Sequence, residues 1–149
     1  MRLASIRLFD LILGSGALLI TLPAALLVAL VIRVFDGGPV LFLQERIGLG
    51  GNSFELLKFR TIKAVTPAAS PSRLGHILRR FHIDELPQLV NVVRGEMSLV
   101  GPRPEIPSLV KLFETEIPDY QMRHAVRPGI TGWAQVKTGD GVSVEETRV

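Results

Sequence analysis

Cysteine is absent from the 149 residues, which excludes disulfides and thiolate metal sites and says nothing about redox compartment. The three histidines, His76, His82 and His124, show no metal-ligand spacing among themselves, so a zinc site is not expected. Trp133 and Tyr120 are the only aromatics besides phenylalanine. The net charge of +3 suits anionic partners, but without a stacking platform nucleic acid is not one of them. No serine sits in a nucleophile-elbow pattern, and Gly48, Gly50 and Gly51 are not followed by the Lys-Ser/Thr of a P-loop. No internal repeat or coiled-coil heptad is present. The length suits about one domain.

Charge is also missing from Leu11 to Ile32, LILGSGALLITLPAALLVALVI. About 20 apolar residues cross a hydrocarbon core roughly 30 Å thick as a helix. The run is too long for a signal peptide and lacks a small-residue cleavage site. Pro23 lies inside it, where a proline removes a backbone donor and clashes with the preceding turn. Of the 17 Lys/Arg, all but Arg2, Arg7, Arg33 and Arg148 fall between Arg46 and Lys137. That part therefore reads as cytoplasmic. A spanning helix would leave Arg2 and Arg7 outside. A helix that enters, bends at Pro23 and returns keeps every arginine on one side. Composition leaves both open.

Beyond the apolar segment, FDGGPVLF breaks the helix. Val40–Leu43 and Phe54–Arg60, joined through Gly48, Gly50, Gly51 and Asn52, read as a β-hairpin with a long loop. Alternation places Leu56, Lys58 and Arg60 on one face and Leu57 and Phe59 on the other. Two cations about 7 Å apart then form either a solvated face or a phosphate grip. Residues 64 to 72 are a small-residue loop. Leu74, Ile77, Leu78 and Phe81 have the spacing of a buried helical stripe capped by Ser72, and the spacing returns at Leu86, Leu89, Val90 and Val93 before Gly95. Pro87 fits if that second helix begins at about Asp84. Further helical stretches run from about Ser108 to Glu116 and from Asp119 to Val126. RPGITGWAQV reads as a turn into a short strand carrying Trp133, and a polar tail follows.

The stretch IDELPQLVN sets Asp84 and Glu85 side by side, just after Arg79 and Arg80. Asp84 suits a helix N-cap, worth about 1 kcal/mol, or an ion pair with Arg80 four residues earlier. Neither role explains Glu85. A carboxylate among cations stays ionised at neutral pH. It can attack phosphorus to form an acyl-phosphate, or hold Mg²⁺. Arg79, Lys58, Arg60 and Arg103 could neutralise charge during phosphoryl transfer.

The blocks RLFDLILGSGALLITLP, GGPVLFLQERIGLGGNSFELLKFRT, LRRFHIDELPQLVNVVRGEMSLVGPRPE and RHAVRPGITGWAQV, in this order, cover most of residues 7 to 136. The chain resembles the bacterial sugar transferases, the small monotopic phosphoglycosyl transferases. The resemblance implies transfer of a sugar-1-phosphate from a nucleotide sugar, usually a UDP-sugar, to a polyprenyl (undecaprenyl) phosphate, with release of UMP. That step opens surface glycan or exopolysaccharide synthesis. It implies a ping-pong mechanism in which Asp84 is nucleophile and Mg²⁺ contact and Glu85 its essential partner. Arg79, Lys58, Arg60 and Arg103 would bind phosphate or nucleotide, Arg103 within the Pro-Arg-Pro motif.

It also favours the re-entrant helix broken at Pro23, in the bacterial inner (plasma) membrane with the catalytic part on the cytoplasmic face of the lipid bilayer. The expected architecture is α+β. Residues 1–35 form the membrane helix, and 36–136 form a catalytic domain with a small β-hairpin and short amphipathic helices. The family commonly continues well past GWAQV, so residues 137–149 are expected to be a truncated tail. A catalytically inactive, membrane-bound scaffold or partner subunit is the alternative. Two positions depart from the family pattern: Leu22 and His82 stand where serine, and serine or threonine, are common.

Overall fold

The structure is a computed structural model and describes residues 2–63 and 70–138. Most of the loop expected at 64–72 and most of the tail expected at 137–149 lie outside the described residues.

The charge-free run forms one helix, α1 (Arg2–Val31), ending in a π turn, Ile32–Asp36. Pro23 lies inside α1, and the helical assignment passes through it without interruption. The hydroxyl of Thr21 donates back to the carbonyl of Ala17 at 2.7 Å, a bond that competes with the helical ladder and often accompanies bending. The segment Ala4–Asp36 is long and apolar enough to cross a membrane. Leu19 and Ile20, near its middle, are 70% and 81% exposed. Both ends of α1 meet the rest of the chain. Arg7 and Asp10 bond to it near one end, while Ala25, Val28, Ala29 and Ile32 pack there at the other.

The expected hairpin is present as β1 (Leu41–Ile47) paired antiparallel with β2 (Ser53–Phe59). The first strand is longer than its apolar start suggested because Gln44, Glu45 and Arg46 continue the ladder. Both faces of β2 are covered: Leu56 packs with Val92 and Met97, and Phe59 packs with Ile32 and Leu78. α2 (Arg73–Arg80) follows, with the Ser72 hydroxyl accepting from the Gly75 amide at 2.9 Å, the cap read from sequence. α3 (Gln88–Arg94) ends at Gly95 in the left-handed conformation, φ 87°, also as read. Asn91, fully buried in α3, covers the outer edge of β2. It accepts from the Leu57 amide at 3.1 Å and donates to the Glu55 carbonyl at 2.8 Å.

The last third holds β3 (Ser98–Val100), α4 (Pro107–Glu116), β4 (Gly129–Thr131) and α5 (Trp133–Thr138). β3 and β4 pair in parallel across some thirty residues. A Cβ on Gly129 would lie 2.0 Å from the Gly101 amide nitrogen, so this crossing of backbones needs glycine. Two expectations change here. Trp133 opens a helix rather than lying on the strand, because the strand ends at Thr131 and Gly132 turns the chain. The stretch from Asp119 is a 3-10 helix, Tyr120–Ala125, entered through Asp119 at φ 58°. With these elements the chain is α+β, as expected.

Candidate active site

Asp84 is not the cap of a regular helix. α2 stops at Arg80, His82 takes the left-handed conformation (φ 54°, ψ 21°), and Ile83–Glu85 make a 3-10 turn. α3 begins only at Gln88, after Pro87. A side chain in that left-handed region is strained, and such residues gather at functional sites. The tight turn gives the neighbouring carboxylates different surroundings.

Glu85 is held. Its Oε1 lies 2.6 Å from the Lys58 ammonium and 3.8 Å from the Arg103 guanidinium. Burial pushes Glu85 upward, but the Lys58 hydrogen bond and charge, with Arg103 and His82, bring it below the usual glutamate range. Asp84 is nearly buried, 8% exposed. Burial raises it above the usual aspartate range, and Glu85 adds to that rise. Lys58 and Arg79 pull the other way without cancelling it. Burial as well as the neighbouring cations therefore sets its state. Among the described residues Asp84 forms no ion pair, and its carboxylate accepts from its own backbone amide. Its carboxylate is left as an acceptor between two cations.

Sequence reading named Lys58, Arg60, Arg79 and Arg103 as the cationic surround. Lys58 and Arg103 meet at Glu85. Arg79 acts on Asp84 and donates through Nε to the Thr61 hydroxyl at 2.9 Å. Arg60 does not join them. It lies past the end of β2, where its guanidinium turns to the carbonyls of Asp36 and Gly37. Strand alternation carried Lys58 to the site and could not carry a residue beyond the ladder.

Other residues were missed. Arg46 donates to the Pro104 carbonyl at 2.8 Å and faces Glu105 at 3.7 Å. Arg123 donates to the Arg103 carbonyl at 2.8 Å, bonds the Tyr120 hydroxyl and lies over that ring at 4.7 Å. Together they brace the loop carrying Arg103. A basic residue within QERIG was the only available signal, and burial of Glu105 has none.

An open cavity of about 350 Å³ adjoins Glu85, lined also by His82, Leu86, Leu89, Ile130 and Val136. Arg46, Lys58, Gln88 and Arg103, with Glu85, line a separate hollow of about 10 Å³. Among the described residues no three His, Asp or Glu side chains gather as a ready-made metal cage. Mg²⁺ does not need one, since one or two carboxylates with waters and substrate phosphates suffice. Asp84, in no ion pair among the described residues, fits that requirement.

A nearly buried aspartate beside a cation-locked glutamate that lines an open cavity suits chemistry on a phosphorylated substrate. The bacterial sugar transferase profile matches residues 1–149, and the chain belongs to that family. It is 40% identical over 96% of its length to the UDP-N-acetylgalactosamine-undecaprenyl-phosphate N-acetylgalactosaminephosphotransferase of Aeromonas hydrophila, and covers 36% of that protein. It is 43% identical over 88% of its length to the UDP-glucose:undecaprenyl-phosphate glucose-1-phosphate transferase of Caulobacter vibrioides, and covers 53% of it. An exopolysaccharide production protein of Rhizobium leguminosarum is 42% identical over 88% of the chain, which covers 72% of it. The chain thus spans about a third to a half of the first two relatives.

Proposed function

We propose that this chain transfers a sugar-1-phosphate from a UDP-sugar to undecaprenyl phosphate. Asp84 attacks the sugar-side phosphorus. A bond forms from its carboxylate oxygen to phosphorus, the bond to the UMP oxygen breaks, and UMP leaves. An oxygen of the polyprenyl phosphate then attacks the same phosphorus, giving the polyprenyl-diphosphate-sugar and freeing the carboxylate. The observation that carries this reading is the division between the neighbours. Glu85 is occupied by Lys58 and Arg103, whereas Asp84 is buried beside cations with no ion pair of its own among the described residues. Burial makes Asp84 more basic and so a better nucleophile. Lys58, Arg79 and Arg103 supply positive charge for the phosphates, as phosphoryl transfer requires. Mg²⁺ held by Asp84 and the diphosphate would neutralise charge on the leaving group.

The apolar helix would rest in the cytoplasmic leaflet of the inner membrane and re-enter at Pro23. Contact of both its ends with the same body supports this. A monotopic enzyme can then meet the lipid phosphate at headgroup level.

Intact-mass measurement after incubation with UDP-sugars and Mg²⁺ tests the chemistry. Protein heavier by one phosphosugar, formed with UMP and lost on adding polyprenyl phosphate, is the expected result, and Asp84→Asn should show neither. UMP release that persists in Asp84→Asn removes Asp84 as nucleophile. A well-folded protein that releases no UMP from any sugar tried is instead a non-catalytic membrane scaffold.

A further inference from the structure

The hinge of the site is gripped by the first turns of the membrane helix. Glu85 and Arg103 meet at 3.8 Å but lie at opposite ends of one unit: α3, the turn Gly95–Met97, and β3 with its following loop. At the closed end of that unit, Arg7 donates through Nη1 to the Val92 carbonyl and through Nη2 to the Val93 carbonyl, both at 2.6 Å. These carbonyls fall in the last turn of α3, which carries partial negative charge; that of Val92 also accepts from the Gly95 amide at 3.0 Å. One turn further along α1, Asp10 is 1% exposed. Its Oδ1 accepts from the Ser98 hydroxyl at 2.9 Å and the Leu99 amide at 3.0 Å, fixing the start of β3. Next, Gly14 lies so close to α3 that a Cβ there would stand 3.0 Å from Val92 Cγ1.

We propose that Arg7 and Asp10 are positioning residues, through which the membrane helix sets the separation of Glu85 and Arg103. This goes beyond anchoring and rests on the phosphosugar-transfer reading. The guanidinium suits the role because its two terminal nitrogens, held in a fixed planar fork, each reach one of two successive carbonyls. α3 is about 10 Å long at 1.5 Å per residue, so a tilt at its gripped end is carried to the Asp84–Glu85 turn. A displacement of about 1 Å at a reacting centre costs on the order of a hundredfold in rate.

The test compares full-length Arg7→Ala, Asp10→Ala and Asp10→Asn in detergent, by hydrogen exchange and by UMP release. Both alanine variants should exchange faster, by about tenfold or more, at amides between Glu85 and Leu99, with the β1–β2 hairpin unchanged. Their kcat should fall by about tenfold or more while KM for the UDP-sugar stays within about twofold. Asp10→Asn keeps the accepting oxygen and should behave as the parent. Unchanged exchange in both alanine variants overturns the proposal, as does Asp10→Asn failing like Asp10→Ala. Should an alanine variant not fold, Arg7→Lys reads the same amides. Should the parent release no UMP, the exchange arm decides this inference alone, while the reaction assigned to Asp84 fails separately.

Discussion

Asp84 and Glu85 are adjacent in sequence and opposite in electrostatic circumstance. Asp84 lies above its ordinary pKa because burial outweighs Lys58 and Arg79. An acid whose folded pKa exceeds its unfolded value binds its proton more tightly when folded. Its stabilising contribution is complete at low pH and is lost as pH rises from the unfolded pKa through the folded one. At neutral pH the ionised Asp84 therefore lowers stability, as is common where a side chain is kept for chemistry. Asp84→Asn should melt no lower than the parent at pH 7, with any gain shrinking as pH falls through the raised folded pKa into the usual aspartate range. Thermal denaturation across that range measures it, and a clear drop in Tm at pH 7 would contradict the burial argument. Lys58 and Arg60 form a second contrast. Lys58→Ala should lower kcat/KM for the UDP-sugar by about tenfold or more, as expected for loss of a charge-assisted bond in the site. Arg60→Ala should lower Tm and leave kcat/KM within about twofold, since its partners are carbonyls at the end of the membrane helix. Steady-state kinetics with melting separates the two.

At the level of elements, local signals read well and distant pairings did not. Ser72 and Gly95 bracket their helices where sequence put them, because capping chemistry acts within a turn. The hairpin was legible from its glycine-rich connection. The parallel pairing of β3 with β4 was not, because three-residue strands carry no periodicity and their register depends on backbone contact between Gly101 and Gly129. The Asp84–Glu85 pair was legible as chemistry, yet its 3-10 setting followed from a left-handed His82 that no residue preference announces. Asn91 was equally unreadable: inside an apolar stripe it looks like a flaw, and it is the bond between α3 and the strand carrying Lys58. Asn91→Ala leaves the Leu57 amide and the Glu55 carbonyl buried without that partner. A loss of about 2–3 kcal/mol in denaturant unfolding is expected.

At the scale of the whole molecule, both ends of α1 pack on the rest of the described chain. Ile32, at the end of the helix, is fully buried with Phe59 and Leu78, while the middle of α1 exposes Leu19, Ile20 and Leu22. This arrangement suits a helix that leaves and rejoins the same side of a bilayer. The absence of native cysteine makes the topology simple to read. Single cysteines at Ala4 and Lys111 should label together with an impermeant thiol reagent, and only when the cytoplasmic face is accessible. Opposite labelling would establish a spanning helix. The arginine distribution had raised this possibility without deciding it, because charge counts report sides and not paths.

Exposed strand edges invite edge-to-edge accretion between neighbouring copies. A two-stranded hairpin is especially vulnerable. Here Asn91 occupies the free side of β2, and the Glu105 carbonyl takes the Ile47 amide at the end of β1. A copy alongside finds those ladder positions already taken, so the packing that seats Lys58 also blunts the β2 edge of the sheet.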